Sequence, residues 1–322
     1  MSNNTPKTAP IIVWMGKLPS YFPLWVRSLR VNKAFDFFLF TDQPVEGEIP
    51  VNLKVIRLSF DDLRQRIEEK LSFRVRILHP YKLCDFKPAY GEIFDDYLAG
   101  YPYWGNCDMD VLFGNLGKFL TPELLAAYKK LFSRGHLTIY HNEPFVNSAY
   151  RSSKSIDHKK ILMSPEVYLF DEWSGIHRIF EELQIGQYNA EIMGDIKVYS
   201  PRIECTNIRN YRPQLFVWQK GDVSQYYIDG SGLVAKELAY VHFQKRKIRI
   251  EDPAVFTSAS MIVNPETVVA WEGEITTEAV KKYDRPGYTH YIGSVFKKIK
   301  KKLYSERRGT LSINKTLIQA RP

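Results

Sequence analysis

The stretch Tyr101-Pro-Tyr-Trp-Gly-Asn-Cys-Asp108-Met109-Asp110-Val-Leu-Phe-Gly114 reads as a short buried strand, Tyr103 to Cys107, running straight into two acids one residue apart. Successive side chains of a strand point to opposite faces, so residues two apart, Asp108 and Asp110, share a direction. Two carboxylates aimed at one point repel unless a cation lies between them. An oxygen-rich set of this kind suits a hard divalent ion, Mn²⁺ or Mg²⁺. The ordinary alternative for an isolated D-x-D is a solvated acidic turn, and the surrounding chain is what separates the two.

Upstream, strand and helix signals alternate. Ile11–Met15 is an apolar strand closed by Gly16, and Tyr21 to Val31 carries Phe22, Trp25, Val26 and Leu29 at helical spacing. Phe35 to Phe40 is a second strand ending at Thr41-Asp42, and residues 52–59 make a third. Ser59 then caps a helix to Leu71 with acids in its first turn. A further helix is expected from Tyr81 to Leu98, interrupted near Pro88. Strands separated by helix-length segments imply a parallel Rossmann-like sheet, whose ligands lie beyond the carboxyl ends of its strands. Gly16, Asp42, Asp108 and Asp110 all fall at that edge. Beyond the acids, a helix is expected from Thr121 to Phe132, a strand over His136–Tyr140, a helical run within Glu166–Leu183, and a strand-rich segment from 195 to 250.

The chain has 322 residues, 44% of them hydrophobic and 14% aromatic, enough for a full core. Three cysteines, Cys84, Cys107 and Cys205, match no zinc spacing and give no even disulfide set, which points to a reducing, cytoplasmic setting. Residues 1–10 are polar and do not read as a secretory leader. The net charge of +9 is uneven: Lys297 to Arg308 holds seven bases against Glu306 alone. The rest is only mildly basic and carries no reader motif, so no nucleic-acid partner is expected. Ile292, Val295, Phe296, Ile299 and Leu303 fall on one helical face among those lysines. Residues 291–308 thus have the pattern of a basic amphipathic helix for an anionic membrane surface. The expected division is a body over 1–285 and a basic tail over 286–322, peripheral to the inner face of the membrane.

With these residues in place, the chain resembles glycosyltransferases of the GT-A fold, in which a strand ends in D-x-D about a hundred residues into a Rossmann-like half. The longer pattern Tyr81-Lys-Leu-Cys-Asp-Phe-Lys-Pro-Ala-Tyr-Gly-Glu-Ile-Phe94 followed by Tyr103 to Gly114 is similar to a group of uncharacterised bacterial proteins of capsule and lipopolysaccharide gene clusters. The resemblance covers roughly residues 10 to 250. It implies a mixed α/β sheet flanked by helices and transfer of a hexose from a UDP-sugar donor to a surface-polysaccharide or lipid-linked glycan acceptor. The D-x-D acids would hold the cation that bridges the donor's two phosphates, with Asp108 also reaching the ribose. Asp42 matches a base-contacting position, or else is a turn aspartate before Pro44. Asp85 and Lys87 would meet a hydroxyl and a phosphate, or else pair locally. His242-Phe243 resembles the late His-Phe segment of family 8 glycosyltransferases, which makes His242 the third metal ligand and Lys245 a diphosphate contact. The glycine and Lys-Pro-Trp ending of that family are absent.

Chemistry beyond the metal is weakly signalled. Asp171-Glu172, before a helical run, is the first candidate for a catalytic base and Glu143 the second, with Trp173 as a stacking platform or a core residue. Two other classes compete. A haloacid-dehalogenase-like phosphatase would use Asp108 as nucleophile, and a non-catalytic nucleotide-sugar or glycan binder would use the same crevice without turnover.

Overall fold

Apolar runs with no polar alternation belong in sheets covered on both faces, and the strands Thr8–Trp14, Phe37–Thr41 and Tyr103–Cys107 fall into that place. A computed structural model describes residues 6–196, 200–205, 209–244, 246–289 and 291–293. Strand β1 (Thr8–Trp14) lies between β2 (Phe37–Thr41) and β4 (Tyr103–Cys107), with β3 (Leu53–Arg57) outside β2, all parallel. The full sheet runs β3-β2-β1-β4-β7-β6-β8, where β6 is Lys130–Arg134, β7 Leu137–His141 and β8 Gln187–Tyr188. Among the described residues only β7 runs against its neighbours in this sheet. This is the mixed, Rossmann-like α/β sheet expected from the sequence.

Neighbouring side chains on β1 and β2 sort to opposite faces. Ile11, Phe38 and Phe40 join a core with Leu63, Ile67 and Leu71 of helix α2 (Phe60–Leu71). Ile12, Phe37 and Leu39 join another with Phe22, Trp25 and Leu29 of helix α1 (Phe22–Leu29). The Ser59 hydroxyl and the Asp62 side chain close a capping box at the start of α2. Gly105 sits mid-strand in β4 because a Cβ there would stand 2.4 Å from the Thr138 carbonyl oxygen of β7.

Two smaller sheets complete the fold. One orders as β10-β9-β14-β5, with β5 Val111–Phe113, β9 Met193–Asp195, β10 Glu204–Cys205 and β14 Tyr240–His242. The other has six strands, β13-β12-β11-β16-β17-β15. Its strands β11 (Gln214–Gln219), β12 (Asp222–Asp229) and β13 (Gly232–Leu238) form an antiparallel meander, extended by β15 (Arg249–Ile250), β16 (Ser260–Val263) and β17 (Thr267–Trp271). Val280 of helix α3 (Thr277–Tyr283) packs on Leu215, Val217 and Ile262 of that sheet. The Trp218 indole N–H reaches the Phe113 carbonyl at 2.9 Å and ties the two small sheets together.

Two expected helices are shorter than their sequence signals. Helix stops at Ala127 within the 121–132 segment, because Lys130–Arg134 is taken up by pairing with β7 and β8. Between 81 and 98 the chain forms a 3₁₀ turn, Pro80–Ala89, and one α-turn, Tyr90–Ile93, with Pro88 depriving the segment of an amide donor. Among the described residues no helix is long and apolar enough to cross a membrane. The expected amphipathic helix at 291–308 lies outside the described residues except for 291–293, as does Lys245.

Candidate metal centre

β4 delivers Asp108 to the carboxyl edge of the main sheet, and the next strand, β5, begins the small sheet. Strand β14 pairs antiparallel with β5, His242 opposite Val111, and the Phe243 amide donates to the Asp110 carbonyl at 2.7 Å. A residue 132 positions downstream is therefore fixed beside the second acid by backbone pairing. His242 Nε2 stands 3.4 Å from Asp110 Oδ1. One ligand atom from each of Asp108, Asp110 and His242 lies within 4.8 Å of the others.

That spacing can be tested against an octahedral ion with bonds of about 2.1 Å, whose adjacent ligands sit about 3 Å apart and opposite ones about 4.2 Å. The 3.4 Å between His242 Nε2 and Asp110 Oδ1 falls between those two values, and the third donor lies within 4.8 Å of both. Two carboxylates and one imidazole suit Mn²⁺ and are acceptable to Mg²⁺. The residues fit the ion.

His242 is nearly buried, and its Nδ1 stands 2.8 Å from Asp195 Oδ1. Burial opposes its charge, but Asp110 and then Asp195 outweigh that and push the imidazole up to about 10. An incoming cation must displace the Nε2 proton to bind there. His136 stacks on His242 with centroids 4.2 Å apart and an interplanar angle of 20°. Its Nδ1 meets the Tyr240 hydroxyl at 2.8 Å, and burial, His242 and Lys87 hold the ring well below the usual histidine value, hence neutral. The Tyr21 ring packs on Phe243 at 5.2 Å. Burial followed by the charges of Asp110 and Asp108 raises its hydroxyl, so the phenol stays protonated beside the acids.

Lys87 joins Asp108 to a second carboxylate. Its ammonium donates to Asp108 Oδ1 at 2.7 Å, Gly135 O at 2.8 Å and Asp171 Oδ2 at 2.8 Å. An ammonium has three hydrogens, and all three are engaged. Burial works against this lysine, yet Asp108 and Asp171 hold it well above its ordinary value. For Asp171 burial outweighs the lysine's pull, and its carboxyl is raised. Asp171 Oδ1 is buried and has no hydrogen-bond partner among the described residues, and the same holds for Asn106 Oδ1. Gly135 is required here, since a Cβ would stand 2.2 Å from Asp171 Oδ2. Glu172 follows, its carboxyl pushed up to about 6 by burial and then by Asp171.

The remaining sequence candidates divide. Asp42 lies at the same carboxyl edge, two strands from Asp108, with Oδ1 accepting from the Gly16 amide at 2.8 Å and from Gln43 Nε2 at 2.9 Å. Burial works against its charge, but these donors hold the carboxyl below the usual range. Asp85 does not face the crevice. In a 3₁₀ turn residues three apart eclipse, and Asp85 lies over Lys82 at 2.7 Å while accepting from the amides of Tyr168 (3.0 Å) and Phe170 (2.9 Å). It is fully buried and fastens the 168–170 loop. Glu143 is at the wrong end of the sheet. Because β7 is antiparallel to β4, His141 pairs with Tyr103, and Glu143 meets Lys129 and His141 a full strand length from Asp108. Trp173 is 43% exposed and edge-on to His177 at 4.0 Å, so it is not core. Asp195, His136 and Tyr21 were not among the sequence candidates. Asp195 ends a three-residue strand, too short to show a pattern.

Solved structures similar to this chain include galactosyltransferase LgtC in complex with donor and acceptor sugar analogs, 10% identical over 58% of this chain and 75% of that one, with a TM-score of 0.35. The glycosyltransferase GlyE of Streptococcus pneumoniae TIGR4 is 12% identical over 58% of this chain and 45% of its own, with a TM-score of 0.31. The apo form of GlyE gives 9%, 59%, 46% and 0.29 in the same terms. No curated protein matches the sequence. A family model does match, over residues 10–272, and the chain belongs to that family, described as a family of unknown function, DUF6625.

Proposed function

We propose that this protein is a metal-dependent glycosyltransferase moving a hexose from a UDP-sugar to a glycan acceptor, on a surface polysaccharide or a lipid-linked oligosaccharide. One observation carries the reading: Asp108 and Asp110 at the carboxyl edge of a mostly parallel sheet meet His242 from far along the chain, with one ligand atom of each within 4.8 Å of the others. Mn²⁺ or Mg²⁺ held there would supply Lewis-acid charge to the diphosphate as the nucleotide leaves. Asp42, at the same edge, is the group for the nucleoside. Lys87 keeps Asp108 and Asp171 in one network, so donor phosphates and reacting sugar lie a single lysine apart. Asp171, whose Oδ1 is buried with no donor among the described residues, adds a second carboxylate to that network.

Glu172 is the candidate base. A carboxyl at about 6 is mostly ionised at neutral pH yet basic enough to take a proton from an acceptor hydroxyl. Activity should therefore rise as pH increases through about 6. Glu172→Gln should lower transfer by roughly 10²–10⁴-fold and abolish that acid limb. A variant with full activity and an unchanged limb would clear Glu172 of the role.

The primary test is a screen of nucleotide-sugars for hydrolysis with and without Mn²⁺. Metal-dependent release of UDP is expected. Turnover of an aryl phosphate would instead support the phosphatase, and metal-dependent binding without turnover would support the binder. We also take 1–285 as the catalytic body and 286–322 as a tail holding it on anionic lipid at the inner membrane face. The seven bases between Lys297 and Arg308 support this. Sedimentation with phosphatidylglycerol vesicles that survives replacement of those lysines would remove the membrane part.

A further inference from the structure

We propose that Asp195 is the positioning residue of the third metal ligand: it holds the His242 ring so that Nε2, and not Nδ1, is offered beside Asp110. The proposal rests on the metal reading above and concerns a residue that makes no part of the three-ligand set. A carboxylate only accepts hydrogen bonds, so at 2.8 Å from Asp195 Oδ1 the Nδ1 atom carries hydrogen. The nitrogen left to coordinate is Nε2, the one 3.4 Å from Asp110 Oδ1.

The backbone makes this arrangement a designed one. His242 pairs with Asp195 across parallel strands β14 and β9, and with Val111 on the other side. The ring thus has its orienting carboxylate on one neighbouring strand and its metal partner just ahead of the other. His136 covers one face of the imidazole and is itself held by Tyr240, which blocks rotation. His136, Asp195 and His242 also form a cluster with ligand atoms within 4.8 Å. In that cluster Nδ1 is committed to the Asp195 hydrogen bond, so the cluster works as a brace. An imidazole without such a brace is free to flip or to change tautomer, and loss of the outer carboxylate typically costs 10–100-fold in metal affinity.

The test uses the full chain and Mn²⁺ alone, with free aquo-Mn²⁺ followed by electron paramagnetic resonance. Asp195→Ala should weaken Mn²⁺ about 10–100-fold. Asp195→Asn, whose amide oxygen still accepts from Nδ1, should recover part of that. The double variant with His242→Ala should bind no more weakly than His242→Ala by itself, since Asp195 acts through the ring. Wild-type affinity in Asp195→Ala alongside a weakened His242→Ala would overturn the proposal, as would losses that multiply in the double variant. If Asp110→Asn and His242→Ala both bind Mn²⁺ like wild type, the metal reading itself has failed. Should Asp195→Ala not fold, ¹⁵N histidine spectra of the Mg²⁺-loaded wild type and Asp195→Asn decide. An Nδ1–H tautomer at His242 is expected, and an Nε2–H tautomer overturns the assignment.

Discussion

Asp110→Asn should abolish Mn²⁺-stimulated release of UDP from its sugar, lowering the rate by on the order of 10²–10³-fold, while the protein still folds. The exchange keeps the side chain's size and removes one charge. The Asp110 carbonyl that anchors Phe243 is untouched, so β14 stays paired with β5. His242 loses the stronger of the two anions that sustain its charge and keeps Asp195. The thermal midpoint should therefore move by only a few degrees, since a change of 1 kcal/mol shifts a chain of this size by roughly 1.5 °C. Asp42→Asn at the same edge is the comparison, and there the expected loss is mainly in donor KM. Metal-stimulated turnover that survives in Asp110→Asn would remove this aspartate from the centre.

The parts of this site that sequence alone exposes are those where local pattern and tertiary role coincide. β1, β2 and β4 are apolar runs buried on both faces, so the parallel sheet and its acidic edge at Asp108 can be read residue by residue. Lys87 and Asp171 are each visible as polar residues in suspect places, but nothing local says that one ammonium will meet both Asp108 and Asp171 across 84 residues. Asp195 is less legible still, because its strand has three residues and its partner is set by a parallel register with β14. The misplacements have equally physical causes. Glu143 follows a strand as Asp108 does, yet the reversal of β7 puts it at the opposite edge. Asp85 lies two residues from Lys87, and the 3₁₀ winding turns it onto Lys82. Between 121 and 132, good helix formers yield to sheet pairing at Lys130, where non-local contacts outweigh propensity.

Lys87→Met carries the largest expected loss of stability. It removes the cation that bridges Asp108 and Asp171 and leaves the second, nearly buried, with no side-chain donor on either oxygen among the described residues. Breaking a buried pair on one side typically costs about 3–5 kcal/mol, which in a chain of this size is a fall in melting temperature of roughly 4–7 °C. The loss should depend on pH in a definite direction. Asp171 already has its carboxyl raised by burial, and without the lysine the rise is greater. A carboxyl raised on folding binds its proton more tightly in the native than in the unfolded chain. Its contribution is thus fully present below the ordinary aspartate value and is lost as pH climbs through the raised one. The deficit of Lys87→Met should accordingly shrink as pH falls toward the ordinary aspartate value and grow as pH rises through the raised one, where wild type keeps both carboxylates compensated. Lys87→Arg should recover part of the stability without the activity, because a planar guanidinium cannot reproduce three bonds fanned toward Asp108, Gly135 and Asp171. A melting temperature for Lys87→Met within a degree or two of wild type at pH 7.5 would mean that this lysine does not hold the two carboxylates together.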